Sequence, residues 1–141
     1  MSDVTVRSIS NLKNEVIYGP GRTMIVDEPI SAGGEDAGPD PYTLLLSALG
    51  SCISMTVTLY ARRKQWPLEG VTVHLRQNRI HAKDCDQCQN DSEGYVHRIL
   101  RSVEFEGNLS DEQRARLKEI AHKCPVHRTL TSEIVISELK E

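Results

Sequence analysis

Aromatic residues are scarce. The 141 residues include one Phe, one Trp and four Tyr, 4% in all, so Leu, Ile, Val and Ala must fill the interior. Charge of one sign is lacking too: 17 Lys and Arg stand against 20 Asp and Glu, a formal net charge of -3. That balance makes no field to gather a phosphate backbone or anionic lipid, so nucleic acid is not an expected partner. The opening residues, Met1 to Val6, have no basic cluster followed by an apolar run, and no export is indicated. The most apolar stretch, Leu44 to Tyr60, is interrupted by Ser47, Gly50, Ser51, Ser54, Thr56 and Thr58, and is expected to fall short of a membrane span. There is no internal repeat. With 38% hydrophobic and 26% charged residues, the composition is that of one globular domain covering residues 1–141. A cytoplasmic location is expected, where cysteines stay reduced and serve chemistry, metals or packing rather than structural crosslinks.

What is present reads as an α+β chain. Val4–Val6, Glu15–Tyr18 and Thr23–Val26 are short β-like pieces separated by turn residues, an N-terminal meander. A Gly-rich loop from Ser31 to Asp40 follows. Asp40 and Pro41 make an N-cap and first-turn pair, and nothing stops a helix before about Lys64. Leu45, Leu49, Cys52, Thr56 and Tyr60 share one face, and apolar residues cover much of the rest, which predicts a helix buried nearly all round. Its middle, Ser47 to Ser54, is rich in small residues and open to close approach by another backbone or a ligand. Val71, Val73 and Leu75 alternate with polar residues in a strand reaching His81, and Tyr95 to Glu106 reads as its return. Ser110 to Gln113 is a capping box opening a second helix, with Leu117, Ile120, Ala121 and Cys124 as its apolar stripe. Pro125 is expected to end that helix. Glu133 to Leu139 reads as a closing strand.

The chemistry rests on four cysteines: Cys52, Cys85, Cys88 and Cys124. Cys52 and Cys124 can each be read as small core hydrophobes, or together as a dithiol. A thiol attacks as its thiolate, and Cys124, at the negative end of a helix, is poorly placed to form one, so Cys52 is the better nucleophile. Cys52 lies too far into its helix to gain from the dipole. A cation must come from elsewhere, and Arg7, Arg22, Arg128 and His127 are the candidates. Cys85 and Cys88, with two residues between them, could share a metal, close a small disulfide or do neither; His81, Asp84, Asp86 and His97 are the residues that could complete a zinc site.

The run Gly38 to Cys52, with Lys123-Cys124-Pro125-Val126-His127-Arg128-Thr129-Leu130, resembles the OsmC/Ohr family of thiol peroxidases, and the match in element order covers nearly the whole chain. The stretch Tyr60 to Gly70 and the Cys-x-x-Cys in the hairpin loop are similar to an OsmC-like subgroup. The resemblance implies an intertwined homodimer with two long helices packed together and active sites at the interface. It implies that Cys52 is peroxidatic and Cys124 resolving, that an organic hydroperoxide is the substrate, and that a small dithiol or a lipoylated protein is the reductant. No cofactor is required; zinc at Cys85 and Cys88 is the one metal considered. One departure concerns the activating pair. Hydroperoxide reductases of the family carry a Glu ten residues before the first cysteine, paired with an N-terminal Arg; position 42 here is Tyr, and Arg22 and Arg128 are the candidates for the cation. Two further readings belong to other classes: a sensory or non-catalytic dimer binding a small lipophilic ligand, and a zinc-stabilised interaction module.

Overall fold

The computed structural model describes residues 2–88 and 94–140, and the α+β class holds in it. The chain divides into two compact units, one up to Ser47 and one from Ala48 onward. In the first unit, β1 (Thr5–Ser10), β2 (Lys13–Gly19) and β3 (Arg22–Val26) form an antiparallel meander in that order, pairing Thr5 with Ile17 and Glu15 with Ile25. Asn11, at φ 51°, and Gly21, at φ 66°, make the two turns.

Asp27, at the end of β3, holds the loop that follows. Its buried carboxylate accepts the backbone N–H groups of Glu28 at 2.8 Å and of Glu35 and Ala37 at 3.1 Å. Burial works to raise the Asp27 carboxyl, but those bonds and the charge of Lys13 leave it below its ordinary value. The loop packs so closely on itself that a Cβ at Gly34 would run into the Glu28 carbonyl, and one at Gly38 into that of Ile25. Asp40 then caps α1 (Pro41–Lys64), its carboxylate accepting the Thr43 N–H at 2.8 Å.

The helix has the predicted bounds, and its burial is one-sided. Leu49, Gly50, Ile53, Val57 and Ala61 form the buried face, whereas Met55, 65% exposed, and Leu59 look outward. The expectation of a helix covered nearly all round is therefore corrected: within one chain, only one side has elements to pack on. The expectation that its small polar residues leave it short of a membrane span is also corrected. By length and composition alone α1 could cross one, with a mean hydropathy of 1.7 over 18 residues. Gln65, at φ 58°, closes the helix with Trp66 N–H bonded back to the Ala61 carbonyl at 2.9 Å.

The second unit pairs β4 (Leu68–His81) with β5 (Tyr95–Gly107) as one long antiparallel hairpin, Val71 opposite Phe105 and Ile80 opposite Val96. Alternation aims Ile99, Val103 and Phe105 at the core. Gly50 lets α1 seat on this hairpin, because a Cβ there would stand 2.7 Å from the Leu75 Cδ1. α2 (Asp111–Ala121) begins at the expected capping box of Ser110 and Gln113, and buries Leu117, Ile120 and Ala121 against α1 and Phe105. Ile53, Val57 and Leu117 are fully enclosed, worth about 1.5–3 kcal/mol each. Arg114 fastens α2 to the end of β5, donating to the Phe105 and Gly107 carbonyls at 2.7 and 2.8 Å.

Two expectations about the C-terminal part are corrected. Pro125 does not end the second helix, which stops at Ala121; it opens another, α3 (Pro125–Leu130), where a residue lacking an N–H fits the first position. Glu133 to Leu139 is not a strand: no regular structure follows α3 among the described residues, and Ile136 is 93% exposed. Alternating side chains make a strand only where a neighbour takes its backbone hydrogen bonds, and this segment pairs with no described strand.

Candidate active site

The fold brings Cys52 and Cys124 together. Cys52 sits on α1 one turn beyond Leu49, half-buried, and Cys124 is fully buried as the N-cap of α3. Both are free thiols, within hydrogen-bonding reach of each other. The Cys-Pro-Val-His sequence explains the arrangement. Proline fixes the first residue of α3, and the next two N–H groups, which no helical carbonyl can take, turn to sulfur. The His127 N–H donates to the Cys124 Sγ at 3.4 Å, and the Val126 N–H serves Cys52. The Thr56 Oγ1 lies 4.0 Å from the Cys52 Sγ, one turn further along α1.

These contacts set the two thiols apart. Burial pushes Cys52 up, but hydrogen bonds from Cys124, the Val126 N–H and Thr56 outweigh it and hold the thiol below its ordinary value. Cys124 moves the other way: burial raises it, and so does donating its hydrogen bond to Cys52, more than the His127 and Val126 N–H groups lower it. The helix-end argument for this order is corrected. Cys124 stands at the start of α3, not at the end of α2, and the difference between the sulfurs comes from burial and hydrogen-bond direction.

The candidate cations are dispersed. Arg128, on α3, is exposed and makes no side-chain hydrogen bond or ion pair among the described residues. Arg22 opens β3 in the N-terminal unit, exposed, with its Cδ over Gly19. Arg7 pairs with Glu15 at 3.1 Å, and Tyr42 is an exposed residue in the first turn of α1. The His127 ring is held below its ordinary value by burial and then by the charges of Arg101 and His122, which disfavours the cation there. Arg101 itself bonds the His122 Nδ1 at 2.9 Å. The groups that residue-type reasoning missed are backbone ones, the Val126 and His127 N–H, for which Cys-Pro was the only signal.

Cys85 and Cys88 are joined in a disulfide near the tip of the β4–β5 hairpin, after a short helical turn, Ala82–Asp84. Sulfurs bonded to each other offer no thiolate to a metal, and the described residues hold no group of three or more His, Cys, Asp or Glu placed for one. The His81 Nδ1 accepts the Lys83 N–H at 3.2 Å, and its ring lies edge-on to Tyr95. Part of the expected loop, residues 89–93, lies outside the described residues.

A long helix bearing one thiol, laid on a hairpin and met by a second thiol at a Cys-Pro helix start, defines an α+β protein with a paired-thiol centre. The OsmC-like protein family model matches residues 33–138, and the chain belongs to that family. Its fold recurs in solved structures. An OsmC-like protein from Mycoplasma pneumoniae is 20% identical, with a TM-score of 0.70 over 92% of this chain and 86% of that one. An organic hydroperoxide resistance protein OsmC from Legionella pneumophila is 16% identical, with a TM-score of 0.66 over 93% and 89%. One from Elizabethkingia anophelis, with thiocyanate bound, is 17% identical, with a TM-score of 0.65 over 93% and 88%. No curated protein sequence matches the chain.

Proposed function

We propose that this chain is a thiol-dependent peroxidase that reduces organic hydroperoxides to alcohols. The observation that carries the reading is the meeting of two free thiols, Cys52 on α1 and Cys124 at the Cys-Pro start of α3, with Cys52 held below and Cys124 above the ordinary thiol value. The hydroperoxide resistance role of the Legionella and Elizabethkingia proteins supports it. The Cys52 thiolate attacks the terminal oxygen of the hydroperoxide, the O–O bond breaks, and the alkoxide leaves and is protonated to the alcohol. Cys52 is left as a sulfenic acid. The Cys124 thiol attacks that sulfur, water departs and a Cys52–Cys124 disulfide forms; a dithiol, free or carried on a protein such as a lipoylated one, restores both thiols. The working form is a homodimer in the cytoplasm, a proposal supported by the exposed Met55 and Leu59 on the outer side of α1.

The test is intact mass and disulfide mapping after fully reduced protein meets a limiting amount of cumene hydroperoxide. Release of cumyl alcohol that requires Cys52, with oxidation passing through a Cys52–Cys124 disulfide, is expected. Peroxide left unconsumed overturns the reading.

A further inference from the structure

The C-terminal end of α1 carries a cluster of cations that the thiol chemistry leaves unused. Three of them converge on one phenol ring: the charged groups of Arg63, Lys64 and Arg116 lie 5.9, 5.8 and 5.5 Å from the centre of Tyr60. Arg116, on α2, donates through its Nε to the Tyr60 hydroxyl at 3.0 Å, which ties α2 to α1, and pairs with Glu119 at 2.7 Å. The charge of Lys123, just past the end of α2, is felt at the same hydroxyl. Arg63, Lys64 and Lys123 are exposed and make no side-chain hydrogen bond or ion pair among the described residues. We infer that this cluster is the docking surface for the protein that re-reduces the thiol pair, and that this partner presents its dithiol among carboxylates.

The partner's role rests on the peroxidase reading, in which a dithiol resets the Cys52–Cys124 disulfide. Placement supports it. Cys52, Thr56 and Tyr60 follow one another at single-turn steps, so Tyr60 stands about 12 Å along α1 from Cys52. Lys123 is the chain neighbour of Cys124. A protein seated on the cations, with an interface of ordinary size, about 800 Å² on each side, has the thiol pair within its footprint. Charge supports it as well. A helix end favours cations of its own, but the fold sets those of α1 and α2 beside one ring with Glu119 as their paired carboxylate, and an acidic partner relieves the repulsion among them. The chain as a whole carries a formal charge of -3, so the rest of its surface is net acidic and turns such a partner toward this end.

The electrons balance. Cys52 is half-buried and Cys124 enclosed, so the sulfur open to the partner is that of Cys52. A partner thiolate attacks it, forming a mixed disulfide and releasing Cys124 as a thiolate, which accepts the His127 N–H and takes up a proton. The partner's second thiol gives up its proton and attacks the partner sulfur of the mixed disulfide. Cys52 leaves as its thiolate, and the partner is left as a disulfide, two electrons poorer.

The experiment forms the Cys52–Cys124 disulfide with diamide in the full-length protein and follows its reduction by disulfide mapping. The reductants are two synthetic peptides, a Cys-Gly-Gly-Cys core flanked on both sides by glutamates or by lysines, with neutral dithiothreitol as reference. Each peptide rate is divided by that peptide's rate on hydroxyethyl disulfide, which removes differences in its own thiol acidity. At low ionic strength the glutamate peptide is expected to be faster by roughly tenfold or more, and salt at about 1 M to erase the preference. Arg63→Glu/Lys64→Glu should reverse the order and Lys123→Glu should narrow it, with the dithiothreitol rate unchanged. Equal peptide rates on the wild type, or a preference that the charge reversal leaves in place, overturn the docking surface and leave the peroxidase reading standing. Phosphatidylglycerol vesicles bound by the wild type and not by the reversed variant, with equal peptide rates, overturn it in favour of a membrane surface. If peroxide is never consumed, the peroxidase reading fails, and the rates on the diamide-formed disulfide still decide the docking surface. If diamide forms no such disulfide, peptides with Ser in place of Cys decide it: tighter binding of the glutamate peptide, lost in the reversed variant, supports it, and equal binding overturns it.

Discussion

Cys52 and Cys124 are far apart in the chain and meet in a core, as free thiols surrounded by hydrogen-bond donors that sort them into unequal partners. Cys85 and Cys88 are three positions apart, sit at the edge of a hairpin and are bonded to each other. The first pair exists only because α1, α2 and the hairpin are folded together. The second spans only a short loop, so little chain entropy is lost in bringing its two sulfurs together. Reactivity tuned by environment therefore belongs to the core pair, and ease of access to the loop pair.

The largest effects should separate the roles within the core pair. Cys52→Ser is expected to lower peroxide consumption by roughly three orders of magnitude or more, because no other described thiol has the same set of donors. Cys124→Ser should permit one turnover and then stop. Its Cys52 sulfenate, with no resolving thiol, should be trapped by dimedone and seen as a mass adduct; a Cys124→Ser protein that keeps turning over would end the division of roles between these two sulfurs.

A second test asks whether the core pair owes its asymmetry to hydrogen bonding. The folded Cys52 thiol is held low, so its rate of alkylation by iodoacetamide should rise with pH through a midpoint below that of an ordinary thiol. Cys124→Ala removes the first of the lowering donors and leaves burial less opposed. The midpoint is then expected to move upward, and alkylation at pH 7 to slow by about tenfold for each unit moved. An unmoved midpoint would mean that the cysteine partner plays no part in lowering Cys52.

The comparison also shows what could be read before folding. Local signals were legible: the Asp40–Pro41 start of α1, the Ser110 capping box, the alternation of β4 and β5, and the closeness of Cys85 to Cys88. Each is a matter of neighbouring residues. The site was legible as a pair of cysteines, through family resemblance more than spacing, but its electrostatics were not. The groups that lower Cys52 include a backbone N–H at Val126 and a partner sulfur, and their aim depends on a helix start that residue patterns turned into a helix end. The outward side of α1 and the unpaired segment after Thr131 misled for a related reason: apolar periodicity reports that a face can be buried, not what buries it.

Gly50 tests whether the core pair depends on the seating of α1. A methyl group there meets Leu75, so Gly50→Ala must push the helix off β4 or displace that side chain. The cost is expected at about 1–3 kcal/mol, partly offset by the better helix propensity of alanine, and should appear as a lower urea midpoint with unchanged slope. Alkylation of Cys52 should respond as α1 shifts, while the Cys85–Cys88 disulfide should form as readily as before. If the loop pair is disturbed equally, the contrast between fold-dependent and local pairing fails.

Thr56 should give the smallest change. Its Oγ1 is 4.0 Å from the Cys52 Sγ, at the outer limit of a hydrogen bond to sulfur, and it is the last of the lowering influences on that thiol. Thr56→Val keeps the branched shape on the helix and deletes the donor. The Cys52 midpoint should rise by less than in Cys124→Ala, and peroxide consumption at pH 7 should fall only a few-fold, with the deficit recovered as the pH is raised. Recovery at high pH distinguishes a lost hydrogen bond from damaged packing, because a thiolate formed by added base no longer needs the donor. A deficit that persists at every pH would instead assign Thr56 a place in positioning the peroxide.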